Sequence, residues 1–299
     1  MVLLYDNPGQ LGNKLFGLGN LIGNAIEHDY SCGSLEFDRY RHLFNQSRRS
    51  RSMQFPALVP EAPEKFTSAL GNRSFSHRLI CKLMRPSGVV SIGGVAVVDI
   101  RRSHDPFTKH YLLDSAEFQE LQARHRSVYL LGYFFRDIPH LFDHRERIID
   151  FLQPAAHLLS DLDEYWKDIR KPGHTLVGVH IRRGDYREYL GGKFYYEDEV
   201  YLRWMMQLKE SISGPVQFLV ASTDPIDPST FARLDLTLAP GNIIGDMYAL
   251  SRCDLIMGPP SSFSGWASFQ KLAPLLHIRD REMIIDLSMF KPINPVVAP

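Results

Sequence analysis

The chain has few cysteines, and they are too scattered to bind a metal or to crosslink a small fold. Cys32, Cys81 and Cys253 are the three cysteines among 299 residues. Their odd number, wide spacing and lack of any Cys-x-x-Cys motif argue against a disulfide framework and a thiolate zinc site. The sequence therefore predicts a protein of a reducing compartment.

An excess of one charge is also lacking, because 34 basic residues balance 34 acidic ones. Binding to nucleic acid phosphates normally requires a basic domain, so no nucleic acid partner is expected. No apolar run approaches the ~20 residues that span a bilayer, and no basic segment precedes the first apolar run. We expect a cytoplasmic protein without a transmembrane segment.

The composition and the order of predicted elements indicate two α/β domains. Hydrophobic residues make up 44% of the chain, enough for substantial cores at this length. The opening MVLLYD predicts a buried strand, and a glycine-rich turn and an apolar helix follow it, as in many nucleotide-binding domains. Another strand, SVYLLGYFFRD, precedes a helical stretch broken at Pro154. We place the domains at residues 1–168 and 169–299.

The second half alternates strands with helices, which predicts a parallel sheet with right-handed crossovers. Its predicted strands are TLVGVHI, VQFLVAS, DLIMG and PLLHI. Parallel sheets of this kind bind ligands at the carboxyl ends of their strands. Polar residues that follow these strands are therefore candidate site residues.

The first such strand ends in unusual charge, within the stretch LVGVHIRRGDYREY. On an extended strand, His180 and Arg182 point to one side and Ile181 to the other. An arginine fork suits a phosphate or a carboxylate, while Asp185 is able to pair with Arg183 or to accept a ligand hydroxyl. The alternative is a structural ion pair at the strand end. The Arg-Gly-Asp tripeptide also allows an adhesion module, which is disfavoured because it directly follows a buried strand.

A second candidate element is LIMGPPSSFSGW, which runs from a strand into a helix. Its serines Ser261, Ser262 and Ser264 surround the helix N-terminus, where free N–H groups favour an anion. Ordinary N-capping is the alternative. Asp246 opens the preceding short helix and is either a ligand group or that helix's cap. With Ser222, Thr223 and Asp224 at another strand end, these segments predict a site for a phosphorylated, hydroxyl-rich ligand such as a nucleotide sugar.

These motifs resemble the α-1,2-fucosyltransferase family and, more distantly, other GDP-fucose-dependent fucosyltransferases. HIRRGDY matches the family pattern His-x-Arg-Arg-Gly-Asp-Tyr, and NPGQLGNKLF, LLGYFFRD and GDMYALSRCDLIMGPPSSFSGWASF resemble its other motifs in the same order. Residues 40–125 are covered by no motif. Pro260 and Gly265 depart from the family's Asn and Trp, which changes a cleft wall.

The resemblance implies two Rossmann-like domains facing a cleft, the GT-B type, and inverting transfer of L-fucose from GDP-fucose to a glycan hydroxyl in α-1,2 linkage, without cofactor or metal. Arg182 would clamp the diphosphate and Asp185 would help to place the fucose, as the two catalytic residues. Asn13 would lie near the cleft. The other implied donor-binding residues are His180 and Asp246 against the guanosine, Ser261 and Ser262 at the β-phosphate, and their motif neighbours Arg183, Phe263 and Ser264.

Several alternatives stay open. The donor sugar is fucose or another, such as mannose from GDP-mannose, and a hydrolase is disfavoured because no Gly-x-Ser-x-Gly elbow occurs. The general base is Asp185, Asp6 or Glu27. The expected acceptor is an oligosaccharide or polysaccharide precursor, and the basic stretch RRSRS is either a solvated loop or a contact with a membrane surface. The single Asp-x-Asp, at 161–163, is expected to be a solvated helix face.

Overall fold

The computed structural model divides the chain into two compact units, Met1–Ala155 and Ala156–Pro299. The residues it describes are 1–6, 9–34, 36–45, 88–101 and 110–293. Each unit contains a five-stranded sheet. The basic stretch at 48–52, interpreted above as a loop or membrane contact, and Cys81 lie outside the described residues.

The first unit is built on a mostly parallel sheet. Its strands are β1 Val2–Asp6, β2 Cys32–Ser34, β3 Gly88–Ile92, β4 Val95–Asp99, β5 Tyr111–Leu112, β6 Ser127–Leu131 and β7 Phe135–Arg136, and its helices are α1 Leu11–Glu27, α2 Ala116–Arg124, α3 Ile138–Asp143 and α4 Arg145–Phe151. The main sheet has the order β2-β1-β6-β4-β3, in which only β3 runs antiparallel, to β4. Strand β1 and helix α1 confirm the predicted strand–loop–helix opening.

The predicted strand SVYLLGYFFRD forms two short strands rather than one. Strand β6 ends at Leu131, and the chain turns at Gly132, whose φ is 131°. Strand β7 then pairs with β5 in a separate two-stranded sheet. A glycine inside an apolar run thus marks a bend of the chain.

The second unit is a fully parallel sheet with helices between its strands. Its strands are β8 Thr175–Ile181, β9 Val216–Ser222, β10 Leu236–Leu238, β11 Leu255–Gly258 and β12 Leu275–His277, and its helices are α5 Ala156–Trp166, α6 Asp198–Ser211, α7 Ile243–Ser251 and α8 Ser262–Lys271. The order is β10-β9-β8-β11-β12, and every pair is parallel. This is the 3-2-1-4-5 order of a Rossmann-like sheet. The four predicted strands are confirmed, whereas the short β10 was not predicted.

The central strand β8 separates two faces by strict alternation. Val177, Val179 and Ile181 are fully buried in the hydrophobic core that also contains Trp204 of α6. The opposite face carries Gly178 and His180. A Cβ on Gly178 would come within 2.8 Å of Leu250 in α7, so a glycine here lets the helix approach the sheet closely.

Helix α5 belongs to the second unit. The boundary between the units therefore falls at residues 155/156, earlier in the sequence than the 168/169 boundary that we placed from the sequence. The Tyr165 hydroxyl donates to the Leu238 carbonyl at 2.6 Å, and Asp163 pairs with Arg252 at 2.6 Å. Asp161 and Asp163 are both exposed while Leu162 is buried. The Asp-x-Asp is therefore a solvated helix face, as expected.

Two further features concern the described cysteines and the length of the described helices. Cys32 and Cys253 are both buried and unbridged. Among the helices in the described part of the chain, none has the length and apolar character that a bilayer crossing requires.

Candidate functional site

The carboxyl ends of β8 and β11 form the point where the second sheet changes its winding direction. From β8 the chain proceeds to β9 and β10 on one side, and β11 and β12 lie on the other. Crevices at such points are the usual ligand sites of open α/β sheets. Gly258 allows the ends of β8 and β11 to lie close together, since a Cβ at this position would lie 2.5 Å from the His180 carbonyl oxygen. Polar groups from both strand ends are therefore brought to one place.

His180 is a buried, neutral residue on the floor of this crevice. Its exposure is 3%, and its ring lies 5.0 Å from that of Phe263 with an interplanar angle of 35°. Burial, with a smaller contribution from the Arg182 charge, lowers the pKa of His180 to about 3. Its Nδ1 atom has no hydrogen-bond partner among the described residues.

Arg182 lies on the same side of the strand end as His180. Its guanidinium pairs with Asp185 at 2.6 Å, and its Cζ lies 5.0 Å from the centre of the Tyr186 ring. The side chain is only 12% exposed, and within the described part of the chain its buried Nε has no hydrogen-bond partner. An oriented arginine with unused donor capacity suits a phosphate group.

Arg183 has other partners than Arg182 has. Its guanidinium forms an ion pair with Asp198 at the start of α6, both side chains being 12% exposed, and it donates to the Pro225 carbonyl at 3.3 Å. Asp185 therefore pairs with Arg182, and the pairing with Arg183 that the sequence left open does not form. The reason is that Asp198 and the Pro225 carbonyl already hold the Arg183 guanidinium.

The Arg-Gly-Asp turn is partly exposed, which corrects the expectation that it is buried. Gly184 is exposed with a φ of 57°, which begins a short 3-10 helix ending at Arg187. The Asp185 side chain is 54% exposed. However, Arg183 and Asp185 are each held by a different partner within the unit, so the tripeptide is not a free flexible tip.

Tyr186 links the two strand ends, a role that sequence reasoning missed. Its ring lies beneath Arg182, and its hydroxyl donates to the Pro260 carbonyl at 2.5 Å. Burial raises its pKa to about 12, so the hydroxyl stays protonated. The only sequence signal was its place in the motif after Asp185. Tyr186 fixes the loop after β11 against the segment after β8.

Helix α8 begins at the crevice with its serines in three different roles. Ser261 is the N-cap, whose hydroxyl accepts from the Phe263 N–H at 3.2 Å. Ser264 is fully buried and donates to the Ser261 carbonyl at 3.2 Å, which excludes it as an exposed nucleophile. Ser262 is half-buried at the first helical position. The N-terminal N–H groups of a helix are the groups that favour an anion, and in α8 they lie at this crevice.

Asp246 stabilises a loop and does not cap its helix. The cap of α7 is Asn242, which accepts from the Gly245 N–H at 2.8 Å. Asp246, 8% exposed, accepts from the Gly241 N–H at 2.7 Å, and burial raises the pKa of its carboxyl group. The carboxylate thus shapes the loop that follows β10.

The end of β9 is less constrained. The Ser222 hydroxyl donates to the Asp224 carbonyl at 2.7 Å, while Thr223 is exposed. This contact closes a turn, in which the Thr223 side chain is exposed and the Asp224 side chain half-buried.

Asn13 lies in the first unit, near the carboxyl ends of β1 and β6. Its Oδ1 accepts from the Tyr133 hydroxyl at 3.1 Å. Glu27 lies at the opposite end of helix α1, about 21 Å from Asn13 along the helix axis, where it contacts His144 at 3.1 Å. Of the proposed first-unit bases, Glu27 is therefore remote from this edge, whereas Asp6 ends β1.

Within the described residues, no group of three His, Cys, Asp or Glu side chains is arranged to hold a metal ion.

Comparison with known proteins gives matches among solved structures alone. No protein-family model and no curated protein matches the chain. FUT1 of Arabidopsis thaliana, in a mutant form in complex with GDP, is 12% identical with a TM-score of 0.54 over 94% of this chain and 71% of its own. NodZ, an α-1,6-fucosyltransferase of Bradyrhizobium co-crystallised with GDP, is 14% identical with a TM-score of 0.52, covering 93% and 94%. POFUT1 in complex with GDP is 12% identical with a TM-score of 0.51, covering 90% and 93%.

Identities this low establish the fold and nothing finer. The chain has an α/β fold with two Rossmann-like domains of the GT-B type, which confirms the expected fold class.

Proposed function

We propose that this protein is an inverting glycosyltransferase that moves L-fucose from GDP-fucose to a glycan hydroxyl. One observation carries the proposal. Arg182, 12% exposed, follows β8 at the switch point of the second sheet, and the neighbouring strand β11 is followed by the N-terminus of α8. The compared FUT1, NodZ and POFUT1 structures contain GDP, and a further NodZ structure was soaked with GDP-fucose.

Arg182 and helix α8 would act on the leaving group. The acceptor oxygen attacks C1 of the sugar, the bond from C1 to the β-phosphate oxygen breaks, and its electron pair departs with GDP. The Arg182 fork and the N–H groups near Ser262 would stabilise that charge, which is why no metal is required in this proposal. Arg183 has no part in it, because Asp198 holds its guanidinium.

Phe263 would face the guanosine, and His180 would support it from beneath. Phe263 is half-buried and His180 almost fully buried, so the phenyl ring is the more accessible of the two. Asp246 would act by fixing the loop at Gly241, since its carboxylate already accepts from that N–H group. These positions make His180 and Asp246 positioning residues on the guanosine side.

Asp185 would help to place the fucose and is the leading candidate for the base that accepts the acceptor proton. Its side chain is 54% exposed, although Arg182 holds it at 2.6 Å. We further propose an α-1,2 linkage to an oligosaccharide or polysaccharide-precursor acceptor, supported by the match of HIRRGDY to the family motif.

Donor turnover tests this proposal directly. The protein is incubated with GDP-fucose, GDP-mannose or UDP-galactose in EDTA. The released nucleoside diphosphate, GDP or UDP, is measured with and without lactose as acceptor. We expect GDP release from GDP-fucose above the other donors, reduced ~10²–10³-fold in Arg182→Ala and unchanged in the exposed control Arg233→Ala. Preferential turnover of GDP-mannose would overturn the sugar, and preferential turnover of UDP-galactose would overturn the guanosine site.

A further inference from the structure

A second concave site lies in the same unit, beside the motif segment and outside the proposed donor crevice. It is a pocket of about 690 Å³ between the segment that follows Tyr186 and the segment that follows β12. We call it the basic pocket, after its lining by Arg187, Lys193, Arg279 and Arg281, with Tyr195 and Tyr196. None of these six residues belongs to the donor site proposed above or to the HIRRGDY motif.

The basic pocket has an excess of positive charge, because four cationic side chains line it and only two carboxylates, those of Glu197 and Asp280. Arg281 pairs with Glu197. By contrast, no ion pair joins a carboxylate of the described residues to Arg187, Lys193 or Arg279. Asp280, the other acidic lining residue, accepts from the Glu282 N–H at 2.9 Å. Within the described part of the chain Arg187, Lys193 and Arg279 are thus not ion-paired, and the excess of cations over carboxylates at this opening attracts anions.

The cations are supported by aromatic rings. The Arg187 guanidinium lies 5.1 Å from the centre of the Tyr195 ring, and the Lys193 ammonium 5.3 Å from that of Phe194. Tyr196 forms the floor, 1% exposed and packed edge-on against Trp204 at 4.9 Å. Tyr195 is half-buried and leaves part of its ring at the opening, and such a ring suits a sugar, which has apolar faces and polar edges.

The rim of the basic pocket has a costly backbone conformation. Leu190, Gly191 and Gly192 have φ angles of 51°, 67° and 78°, three left-handed residues in succession. The conformation is unfavourable for leucine, and the Leu190 side chain remains 53% exposed. A Cβ on Gly192 would come within 3.0 Å of the Arg187 carbonyl oxygen, so the turn also brings Arg187 and Lys193 to the same opening. Strain of this kind is concentrated at ligand sites.

We propose that the basic pocket binds a sugar residue that carries an anionic group, either a carboxylate or a phosphate, as part of the acceptor. Its role as an acceptor subsite rests on the proposed function. The segment that lines it continues directly from the proposed donor site, since Tyr186 lies beneath Arg182 and its ring is 5.3 Å from that of Tyr189. A concave, tyrosine-lined site favours a saccharide over a flat membrane surface.

Calorimetry with defined saccharides tests the proposal in the full chain saturated with GDP. The probes are a hyaluronan hexasaccharide for the carboxylate, N-acetylglucosamine 1-phosphate for the phosphate, and maltohexaose as the neutral comparison. We expect one anionic probe to bind more tightly than maltohexaose, and to bind about tenfold more weakly in Arg187→Gln/Arg279→Gln. The control Lys167→Gln/Arg233→Gln removes the same charge from exposed positions outside the pocket and should leave binding unchanged.

Four outcomes would overturn the proposal. The first two are that the control variant loses as much affinity for the anionic probe as the pocket variant does, and that maltohexaose binds as tightly as the anionic probe. The other two are that excess GDP displaces the anionic probe, and that the protein binds phosphatidylserine vesicles but none of the saccharides. Lys193→Gln against Lys167→Gln provides a second pair if the double variant fails to fold.

The two proposals fail separately. An anionic probe that binds to a chain without affinity for GDP would end the fucosyltransferase proposal and leave the basic pocket as a saccharide site. Donor turnover with no anionic saccharide bound would leave the enzyme and end the pocket proposal.

Discussion

The Arg182 guanidinium is held at 2.6 Å by the Asp185 carboxylate, three residues further along the chain. The two partners differ in freedom, because the Arg182 side chain is 12% exposed and the Asp185 side chain 54%. An incoming diphosphate would compete with Asp185 for the same guanidinium, and Asp185 is the group able to move aside. Arg182 is therefore oriented before a donor arrives, which lowers the cost of reorganisation on binding.

Asp185→Asn should separate binding from turnover. Removing the carboxylate removes both the competing partner of Arg182 and its repulsion of the diphosphate, so GDP should bind as tightly or several-fold more tightly. Transfer should fall at least tenfold, because the group that we propose places the sugar is gone. Calorimetry with GDP and an acceptor-dependent transfer assay measure the two effects. Loss of GDP affinity together with turnover would instead show that Asp185 is needed only to hold the site together.

Arg183 and Asp198 should behave as a structural pair. Both side chains are 12% exposed, so removing either partner leaves a nearly buried charge unpaired. We expect Arg183→Gln and Asp198→Asn each to lower the free energy of unfolding by about 3 kcal/mol, with the double variant well below the sum. Urea denaturation measures this cycle. GDP affinity of the folded variants should be unchanged, and a loss confined to Arg183→Gln would make Arg183 a donor ligand after all.

His180 should make the protein less stable in mild acid. Its pKa is about 3 in the folded chain, against ~6.5 for an unperturbed histidine. Between these values the unfolded state binds more protons, so stability is full above pH ~6.5 and falls as the pH decreases; from pH 6.5 to 5 the loss is about 1.5 kcal/mol. His180→Leu should lose this part of the pH dependence in urea denaturation, while the exposed control His157→Leu should keep it.

Two glycine substitutions should differ because their new methyl groups meet different atoms. In Gly258→Ala the Cβ would lie 2.5 Å from the His180 backbone oxygen, whereas in Gly178→Ala it would meet the Leu250 side chain at 2.8 Å. Backbone cannot yield as a side chain does, so we expect Gly258→Ala to cost about 1–3 kcal/mol and Gly178→Ala less. GDP affinity should fall only in Gly258→Ala. Equal effects would mean that the β8–β11 spacing does not shape the site.

The second sheet was predictable because its strands are buried on both faces and read as continuous apolar runs. VQFLVAS, for example, coincides with Val216–Ser222. The antiparallel pair β3 and β4 was missed, since it follows a stretch of weak periodicity and its pairing depends on the sheet around it. The tiny β10 was missed because a three-residue strand has too few positions to show a period.

The site was predictable as a set of strand ends, but its pairings were not. The sequence left the partner of Asp185 open between Arg182 and Arg183, and the partner of Arg183 is Asp198, which only the start of α6 brings there. Asp246 similarly needs the fold of the Gly241 loop to acquire its partner. Such contacts join residues whose proximity depends on turns, and turns leave little trace in periodicity.

Calorimetric titration of GDP and UDP in EDTA, with the wild-type chain and Arg182→Ala, tests the central claim most directly. The claim is that the switch point of the second sheet binds guanosine diphosphate through Arg182. It predicts binding of GDP but not UDP by the wild type, weakened at least ~10-fold in the variant through loss of the charge-assisted bonds. Absence of GDP binding, or equal GDP affinity in Arg182→Ala, would contradict it.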